Sequence, residues 1–585
     1  MRTRSLVIAA AVAALAVLVP AAARPAAPIY LDPSYSFSER AADLVSRLTL
    51  AQKASQMNSS VSVAIASPVA IAQYGWWNEA AHGVMCESLT NNQNCTNLTN
   101  TTSYPVALSM AASWDPALIH DTASLISDEA REVETNNTQN MDFYAPVINL
   151  MRDPRWGRSD ETWSEDPYLE AKSAGQFVNG LQGQDMNGNL DPAGAGAQGF
   201  LKAIATIKHY TANNSEVNRL NGSSDMDERS LREYYTRPYR DIAREAHVGS
   251  VMSSYNKVNG TPSPANVYLT DTLLRETFGF QGYMTSDCDA IYTMQNYHHW
   301  VPPIGPAVTA STRHAWALAA GEDLDCNTGY HDSNSYANQL VNAVNANITT
   351  TTGLLTENQV DTSLLRLFTA RMQLGEFDNG GNDVPWVQQA RARVPQGSWQ
   401  NDASNMAVTE TAARLSAARQ AGARSIVLLK NDPVNGGKLL PLQVPATGPF
   451  VVQVIGFFAN PGTTGDPLIQ GSMYLGDYSS SQEGAGVANE VNGFMGLRAA
   501  IQAINPAAVV DWCSGVTGGV MASMLTTVDP TCVNSAAAAN AVIVYVGTDS
   551  STGKEGQDRA NISLPGAQAS LISQVVAANP KTIVY

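Results

Sequence analysis

Residues 279–289 read G-F-Q-G-Y-M-T-S-D-C-D. A glycine turn precedes the short apolar and β-branched run Tyr283-Met284-Thr285, a pattern that predicts a buried strand with Ser286 and Asp287 at its C-terminal exit. In a barrel of alternating strands and helices, side chains from several strands converge on that rim, while the opposite rim serves stability. An Asp in this position also suits the cap of a helix or turn beginning at Asp289-Ala290-Ile291. The rest of the chain decides between the two.

On either side of this segment, strand-like runs alternate with helical spacing. Strands are expected at Phe143–Leu150, Ala203–His209, Gly249–Tyr255, Gly282–Ser286 and Ala319–Leu324. Helices are expected at Leu118–Thr135, Tyr168–Leu181, Ser230–Ala246, Asp271–Thr277, Ser311–Leu318 and Asn358–Leu374, after a helical Ser38–Met57. Strands interleaved with helices imply a parallel sheet, and this many units imply a closed (β/α)8 barrel over residues 35–376. Periodicity then fades into Gly, Asn, Asp, Gln and Pro, which reads as a linker over 377–420. A second α/β unit, an α/β/α sandwich over 421–585, follows. Its strands are expected at Ser425–Lys430, Phe450–Phe458 and Ala541–Gly547, its helices at Gly493–Ala503 and Ala567–Ala578. Lys581–Tyr585 reads as the start of another strand, so the unit is expected to be incomplete.

Composition narrows the function. With 585 residues, 44% hydrophobic and 15% charged, the chain is that of a folded protein of at least two domains. A net charge of -17 argues against nucleic acid, whose phosphates need clustered Lys and Arg, and in favour of neutral, polar substrates. Arg2 and Arg4, an apolar run from Leu6 to Val19 and Ala21-Ala22-Ala23 form the three parts of an export signal over 1–23. The apolar run is short for a bilayer span, so a secreted, extracellular protein with no membrane anchor is expected. Export makes disulfides plausible among the six cysteines; candidate pairs are Cys86 with Cys95, Cys288 with Cys326 and Cys513 with Cys532. Asn58, Asn94, Asn97, Asn100, Asn136, Asn213, Asn221, Asn347 and Asn561 open N-x-S/T triplets, glycosylated where the host has that machinery.

Four further segments bring polar groups to expected strand ends: Tyr74–Gly83, Arg152–Asp166, Lys208-His209-Tyr210 and Ser253-Ser254-Tyr255-Asn256. Each has a plainer reading. Trp76 and Trp77 suit a core, Arg158 suits an ion pair with Glu161 or Glu165, and Lys208-His209 suits a solvated strand end. Separate structural demands give no reason to collect Trp, Arg, Lys, His, Tyr and Asp on one rim; a sugar site does, because indole faces stack on pyranose rings while hydroxyls need donors and acceptors. His298-His299 beside Asp287 and Asp289 suggests a metal, but adjacent His side chains diverge and no H-x-x-x-H or Cys-rich spacing occurs, so neither metal nor cofactor is expected.

The order E-A-x-H-G, D-P-R-W-G-R-x-x-E-T-W-x-E-D-P, K-H-Y, S-Y-N-x-V-N-G-x-P-S and T-S-D-C-D-A resembles glycoside hydrolase family 3, in particular its β-xylosidase branch, over roughly residues 35–580. The resemblance implies a site between barrel and sandwich, retaining hydrolysis of a β-glycosidic bond in xylo-oligosaccharides, and a chain that continues beyond this one in its relatives. By position, Asp287 matches the nucleophile, Arg158, Lys208 and His209 match groups that hold sugar hydroxyls, and Tyr255 matches an aromatic beside the nucleophile. Arg158 and Lys208 nearby are expected to keep Asp287 ionised. Glu79 stands where glucose-specific members carry Asp, and its extra methylene is expected to exclude a hydroxymethyl arm. The K-H-F-P-G-H-G signature of the N-acetylglucosamine branch is absent, since residues 208–215 read K-H-Y-T-A-N-N-S.

The chain departs from the pattern in two places. Cysteines common in fungal and plant relatives are Ser253 and Pro264 here. The loop carrying the acid/base resembles G-x-D-x-x-x-E-x-E-G-x-D-R, yet residues 547–559 have Gly553 where its first Glu stands and Glu555 where its second does. Glu555 is therefore the candidate acid/base, Glu483 the substitute, and an absent acid the third possibility. β-Glucosidase and α-L-arabinofuranosidase remain alternatives within the family. An inactive sugar-binding relative is the alternative outside it.

Overall fold

The computed structural model describes residues 28–59, 62–86, 101–133, 141–394, 411–460, 478 and 491–585. In the N-terminal half, strands β1 (Asn78–Glu79), β2 (Asp142–Phe143), β3 (Ile204–Tyr210), β4 (Ser250–Ser253) and β5 (Tyr283–Thr285) run round a barrel. β2, β3, β4 and β5 pair in parallel in that order. Parallel bridges from Thr285 to Leu324 and from Asp325 to Asn58, with the Tyr144 N–H donating to the Asn78 carbonyl at 2.8 Å, carry the ring back to β1. Every residue of β3 is buried, as expected of a parallel strand covered on both faces.

The outer helices are α1 (Phe37–Ser46), α2 (Pro116–Val133), α3 (Pro167–Gln182), α4 (Arg237–Glu245), α5 (Ala310–Ala319) and α6 (Glu357–Gln373). They follow the expected spacing because local chemistry punctuates them. α3, for example, starts where the Asp166 carboxylate accepts the Tyr168 and Leu169 N–H groups at 2.9 and 2.8 Å with Pro167 next in line, and stops at Gly183, whose φ of 77° suits glycine. The strand expected over Ala319–Leu324 shrinks to the bridge at Leu324, because α5 runs to Ala319 and its Ala-rich turn is helical.

The expected linker is partly built into the barrel. Within it α7 (Pro385–Arg393) buries Trp386, whose indole N–H donates to the Phe200 carbonyl at 3.1 Å, and α8 (Ala412–Ser425) is tied down by Arg414 to Glu132 at 2.7 Å and Arg424 to Asp115 at 2.6 Å. A helix that buries only Trp386, Val387 and Ala390 leaves little periodicity to read.

In the C-terminal half, β6 (Val451–Ile455), β7 (Val509–Cys513), β8 (Ala541–Val544) and β9 (Thr582–Val584) form one parallel sheet in the order β7-β6-β8-β9. The pleat sends successive side chains to opposite faces. Val542 and Val544 pack with Leu571 and Val575 of α10 (Gln568–Ala578), while Ile543 packs with Ile501 of α9 (Gly493–Ile504). This is the expected helix–sheet–helix sandwich. Ser425–Lys430, expected as a strand, has no strand partner among the described residues, and Ile426, Leu428 and Leu429 are exposed; a β-branched run needs a ladder to be a strand.

Disulfides join Cys288 to Cys326 and Cys513 to Cys532; a Cys86–Cys95 pair lies outside the described residues, as do 1–27, Glu483 and the triplets at Asn94, Asn97, Asn100 and Asn136. Asn213 is only 2% exposed, which leaves a glycan no room there. No described helix is long and apolar enough to cross a membrane.

One clasp holds the two halves together beside the barrel's C-terminal rim. The Asp558 carboxylate accepts from the Gly157 N–H at 2.9 Å, the Ser215 hydroxyl at 2.9 Å, and the Glu216 and Val217 N–H groups at 2.9 and 3.0 Å. The Arg559 N–H donates to the Arg155 carbonyl at 2.7 Å. Gly157 has to be glycine: a Cβ there would lie 2.1 Å from the Gln557 carbonyl oxygen and 2.4 Å from that of Lys554. The loop carrying Glu555 is thereby pinned over the mouth of the barrel.

Candidate active site

All seven side chains singled out in the sequence, Glu79, Arg158, Lys208, His209, Tyr255, Asp287 and Glu555, line one cavity of about 310 Å³. β1 delivers Glu79, β3 delivers Lys208 and His209, the turn after β4 delivers Tyr255, and the exit of β5 delivers Asp287. These are the strands' C-terminal ends.

The floor is an ion pair. Lys208 Nζ lies 3.0 and 3.1 Å from the two Glu79 carboxylate oxygens, both side chains nearly fully buried. Beside it, Asn149 locks His209: its Nδ2 donates to the His209 carbonyl at 2.8 Å, and its Oδ1 accepts the His209 backbone N–H at 2.8 Å and faces Nδ1 at 3.1 Å. An acceptor facing Nδ1 places the ring proton there, which leaves Nε2 a lone pair turned toward Asp287, 3.7 Å from its Oδ2. Burial, then the charges of Arg158, Lys208 and Arg219, push the His209 pKa well below its ordinary value, so the ring is neutral.

Asp287 is seated by backbone. Its N–H donates to the Ser253 carbonyl at 3.2 Å, and its Oδ1 accepts the Cys288 N–H at 2.8 Å. Oδ2 is buried with no hydrogen-bond partner. Burial raises the Asp287 pKa to about 6, with the Glu555 charge adding to the rise while Arg158, Arg219 and Lys208 oppose it. The expectation that Arg158 and Lys208 hold this carboxylate in its charged form is thus met in sign, but desolvation outweighs them.

Arg158 makes the ion pair that its plainer reading expected, with Glu161, and also faces Glu555. Nε and Nη2 grip Glu161 at 2.7 and 2.8 Å in a two-pronged pair, while Nη1 lies 3.5 Å from Glu555 Oε1. Glu555 Oε1 also takes a 2.6 Å bond from Arg219, and Oε2 one of 2.6 Å from the Tyr478 hydroxyl. Although burial acts to raise it, Arg158, Arg219 and Tyr478 together hold the Glu555 carboxyl well below the usual carboxylate range. The substrate-free Glu555 is an ionised acceptor, as its match to the second Glu of the loop pattern leaves open. The Tyr255 hydroxyl donates to the Cys288 carbonyl at 2.7 Å, and the Arg219 guanidinium sits 5.0 Å over its ring.

Other expectations divide. Trp76 is core, packed against Tyr74 and Tyr283, whereas Trp77 lines the cavity, stacked on Tyr144. His298 is turned away, its Nε2 facing the Tyr255 carbonyl at 2.8 Å. Arg219, Tyr144, Tyr478, Tyr330 and His331 also belong to the site or its border and were not singled out. Arg219 carries no signal in N-R-L-N-G; Tyr144 sits one residue beyond β2, which ends at Phe143, whereas the strand expected over Phe143–Leu150 placed it near a strand start.

Residues 90–370 match the glycosyl hydrolase family 3 N-terminal domain and residues 426–585 the family's C-terminal domain. The chain belongs to glycosyl hydrolase family 3. Among curated relatives it is 32% identical over 553 residues to the exo-1,4-beta-xylosidase xlnD of Aspergillus awamori, covering 93% of this chain and 59% of that protein. It is 36% identical over 354 residues to the exo-1,4-beta-xylosidase bxlB of Emericella nidulans (59% and 42%), and 30% identical over 554 residues to the beta-D-xylosidase 3 of Arabidopsis thaliana (94% and 62%). The solved structure of a family 3 exo-beta-xylosidase, XlnD, with a xylobiose aziridine probe superimposes with a TM-score of 0.73 at 29% identity, over 95% of this chain and 62% of that one. The chain spans about three fifths of the length of the xlnD-type relatives it matches.

The seat of Asp287 makes a prediction about pH. A folded-state pKa raised to about 6 means that Asp287 weakens the fold as pH climbs from about 4 to about 6 and by a constant amount above that. Asp287→Asn should therefore melt higher than the wild type at pH 7.5, with the gap closing by pH 4 in calorimetry. In carbon-13 NMR of labelled Asp, Lys208→Met should move the Asp287 midpoint upward, since a lowering charge is lost; an unchanged midpoint contradicts the assigned electrostatics.

Proposed function

We propose that this chain is the catalytic part of a secreted, retaining exo-1,4-β-xylosidase, releasing xylose from the non-reducing ends of xylo-oligosaccharides. The observation that carries the reading is the bare, buried Oδ2 of Asp287, set among Arg158, Lys208 and His209 at the barrel rim. The names of the relatives agree with it, and the apolar leader at 6–19 supports export.

In this reading the Asp287 carboxylate attacks the anomeric carbon as the glycosidic C–O bond breaks, the departing oxygen takes a proton, and a glycosyl ester forms on Oδ2. Water then attacks the same carbon, gives up a proton, and frees both the sugar with its configuration retained and the carboxylate. His209 Nε2 accepts a sugar hydroxyl. The third Lys208 N–H and Arg158 Nη1 donate to others, and Glu79 closes the floor. Its extra methylene relative to Asp fills the space a hydroxymethyl arm needs, worth about 1–3 kcal/mol of discrimination.

Glu555 takes the acid/base role. Ionised, it is ready to accept the proton of the attacking water; to act first as acid it has to gain a proton and loosen its bond to Arg219. That clasp, with Gly553 where the loop pattern has its first Glu, favours one rival: a sugar-binding relative that turns nothing over.

Incubation with xylobiose and cellobiose, followed by proton NMR of the anomeric signals, separates the readings. β-Xylose appearing first from xylobiose, with cellobiose cleaved more slowly, is expected; binding without release supports the rival. Glu79→Asp should raise the ratio of aryl glucoside to aryl xyloside turnover roughly ten-fold or more.

Glu555→Gln should lower kcat/KM for xylobiose by at least about 100-fold while largely sparing kcat/KM for an activated aryl xyloside, whose leaving group needs little protonation. An equal loss of kcat/KM for both substrates removes Glu555 from the acid role.

A further inference from the structure

A second recess, of about 370 Å³, opens on the outer wall of the barrel between α3 and α4. Sites that hold small molecules run from roughly 300 to 1,000 Å³. This one lies by the C-terminal end of α4, just before the chain enters β4, and so toward the rim opposite the one that carries Asp287. That rim serves stability. Yet three groups at the recess are ones that stability alone would remove.

Asn179 of α3 lines the recess and is only 3% exposed, and its Oδ1 has no hydrogen-bond partner. One turn earlier on the same helix face, Gln176 donates from Nε2 to the Met186 carbonyl at 3.0 Å, which fixes the amide and leaves its buried Oε1 without a partner. Each such acceptor carries a desolvation penalty that an apolar side chain avoids. The third group is His247, which follows α4 with φ 46° in the left-handed region that glycine ordinarily takes after a helix, and which also lines the recess. The facing wall is held firmly. Asp185 Oδ1 accepts the Asn187 and Asn189 N–H groups at 2.8 and 3.0 Å, and Gly188 packs so closely on α4 that a Cβ there would lie 2.1 Å from the Glu245 carbonyl oxygen. The turn between them sets Met186, 43% exposed, at the edge of the recess.

We propose that this recess is a sugar-binding site remote from the catalytic cavity, in which hydroxyls of a neutral oligosaccharide donate to Asn179 and Gln176 while an apolar ring face rests on Met186. Charge argues against an ionic ligand. Lys172 and Arg244 are matched by Asp241 and Glu245 around the recess, Lys172 pairs directly with Glu245, and Arg240 holds Asp241 at 2.7 Å. Unmet acceptors also repel an anion, whereas a polyhydroxylated ring brings donors and an apolar face together. Local rules of stability are broken where function holds them broken, and here three breaches share one recess. The ligand class comes from the recess itself; that the sugar is xylan, anchored here while its ends are trimmed at Asp287, rests on the function proposed above.

The test runs the full chain carrying Asp287→Asn through native gels containing soluble neutral arabinoxylan, whose retardation of the band reads the affinity. The parent should be retarded, and Asn179→Ala and His247→Gly should each weaken the affinity roughly five-fold, the loss of about one hydrogen bond. Both variants should melt no lower than the parent, because each removes a group that burdens the fold. With Asp287 restored, their turnover of an aryl xyloside should be unchanged. Retardation that survives both substitutions, or that is lost together with melting temperature or aryl xyloside turnover, overturns the site. If the polymer is not bound at all, the site falls while aryl xyloside turnover still upholds the catalytic reading; if retardation depends on Asn179 but the wild type turns over no xyloside, the catalytic reading falls and the sugar site stands.

Discussion

A carboxylate taken out of water at the end of a barrel strand sets the terms for everything around it. Asp287 has one oxygen bonded to the next residue's N–H and the other left bare, and its burial disfavours the charged form. Arg158, Arg219 and Lys208 bring it part of the way back. Each of those cations is itself buried or half-buried and needs its own partner, so the site is a chain of charges: Lys208 to Glu79, Arg158 to Glu161, Arg219 to Glu216 and Glu555. Removing one partner of a buried pair leaves an uncompensated charge, which is why the sequence keeps so many ionisable groups in a small volume.

The second half of the molecule enters through the same chain of charges. Asp558 spends its carboxylate on four barrel donors, and this fixes a loop whose Glu555 then reaches Arg158, Arg219 and Tyr478. The barrel alone supplies the buried Asp287 and the Lys208–Glu79 pair beneath it. The sandwich supplies the carboxyl that faces them, and the Gly157 contact shows how closely the two surfaces meet.

Much of this was legible in the residues. The alternation of apolar runs located β3, β4 and β5, though it carried β2 on to Leu150 and left β1 unread, and T-S-D-C, K-H-Y and D-P-R-W-G-R put Asp287, Lys208, His209 and Arg158 at expected strand ends. Glu555 was legible only as a carboxylate in the right loop, because its state depends on Arg219, some 336 positions away in the chain. Trp76 and Trp77 look identical in sequence, and only the packing just before β1 makes one core and the other wall. α7 was hidden by its polar composition, and the run at 426–429 read as a strand because local pattern carries no information about whether a partner strand is there.

The most direct test of the account is to trap the bond it requires. The wild-type chain incubated with an activated 2-deoxy-2-fluoro-β-xyloside, digested and read by mass spectrometry, should carry one fluoroxylosyl group on the peptide containing Asp287, and Asp287→Asn should carry none. A label on another residue, or xyloside hydrolysis with no label on Asp287, would contradict it.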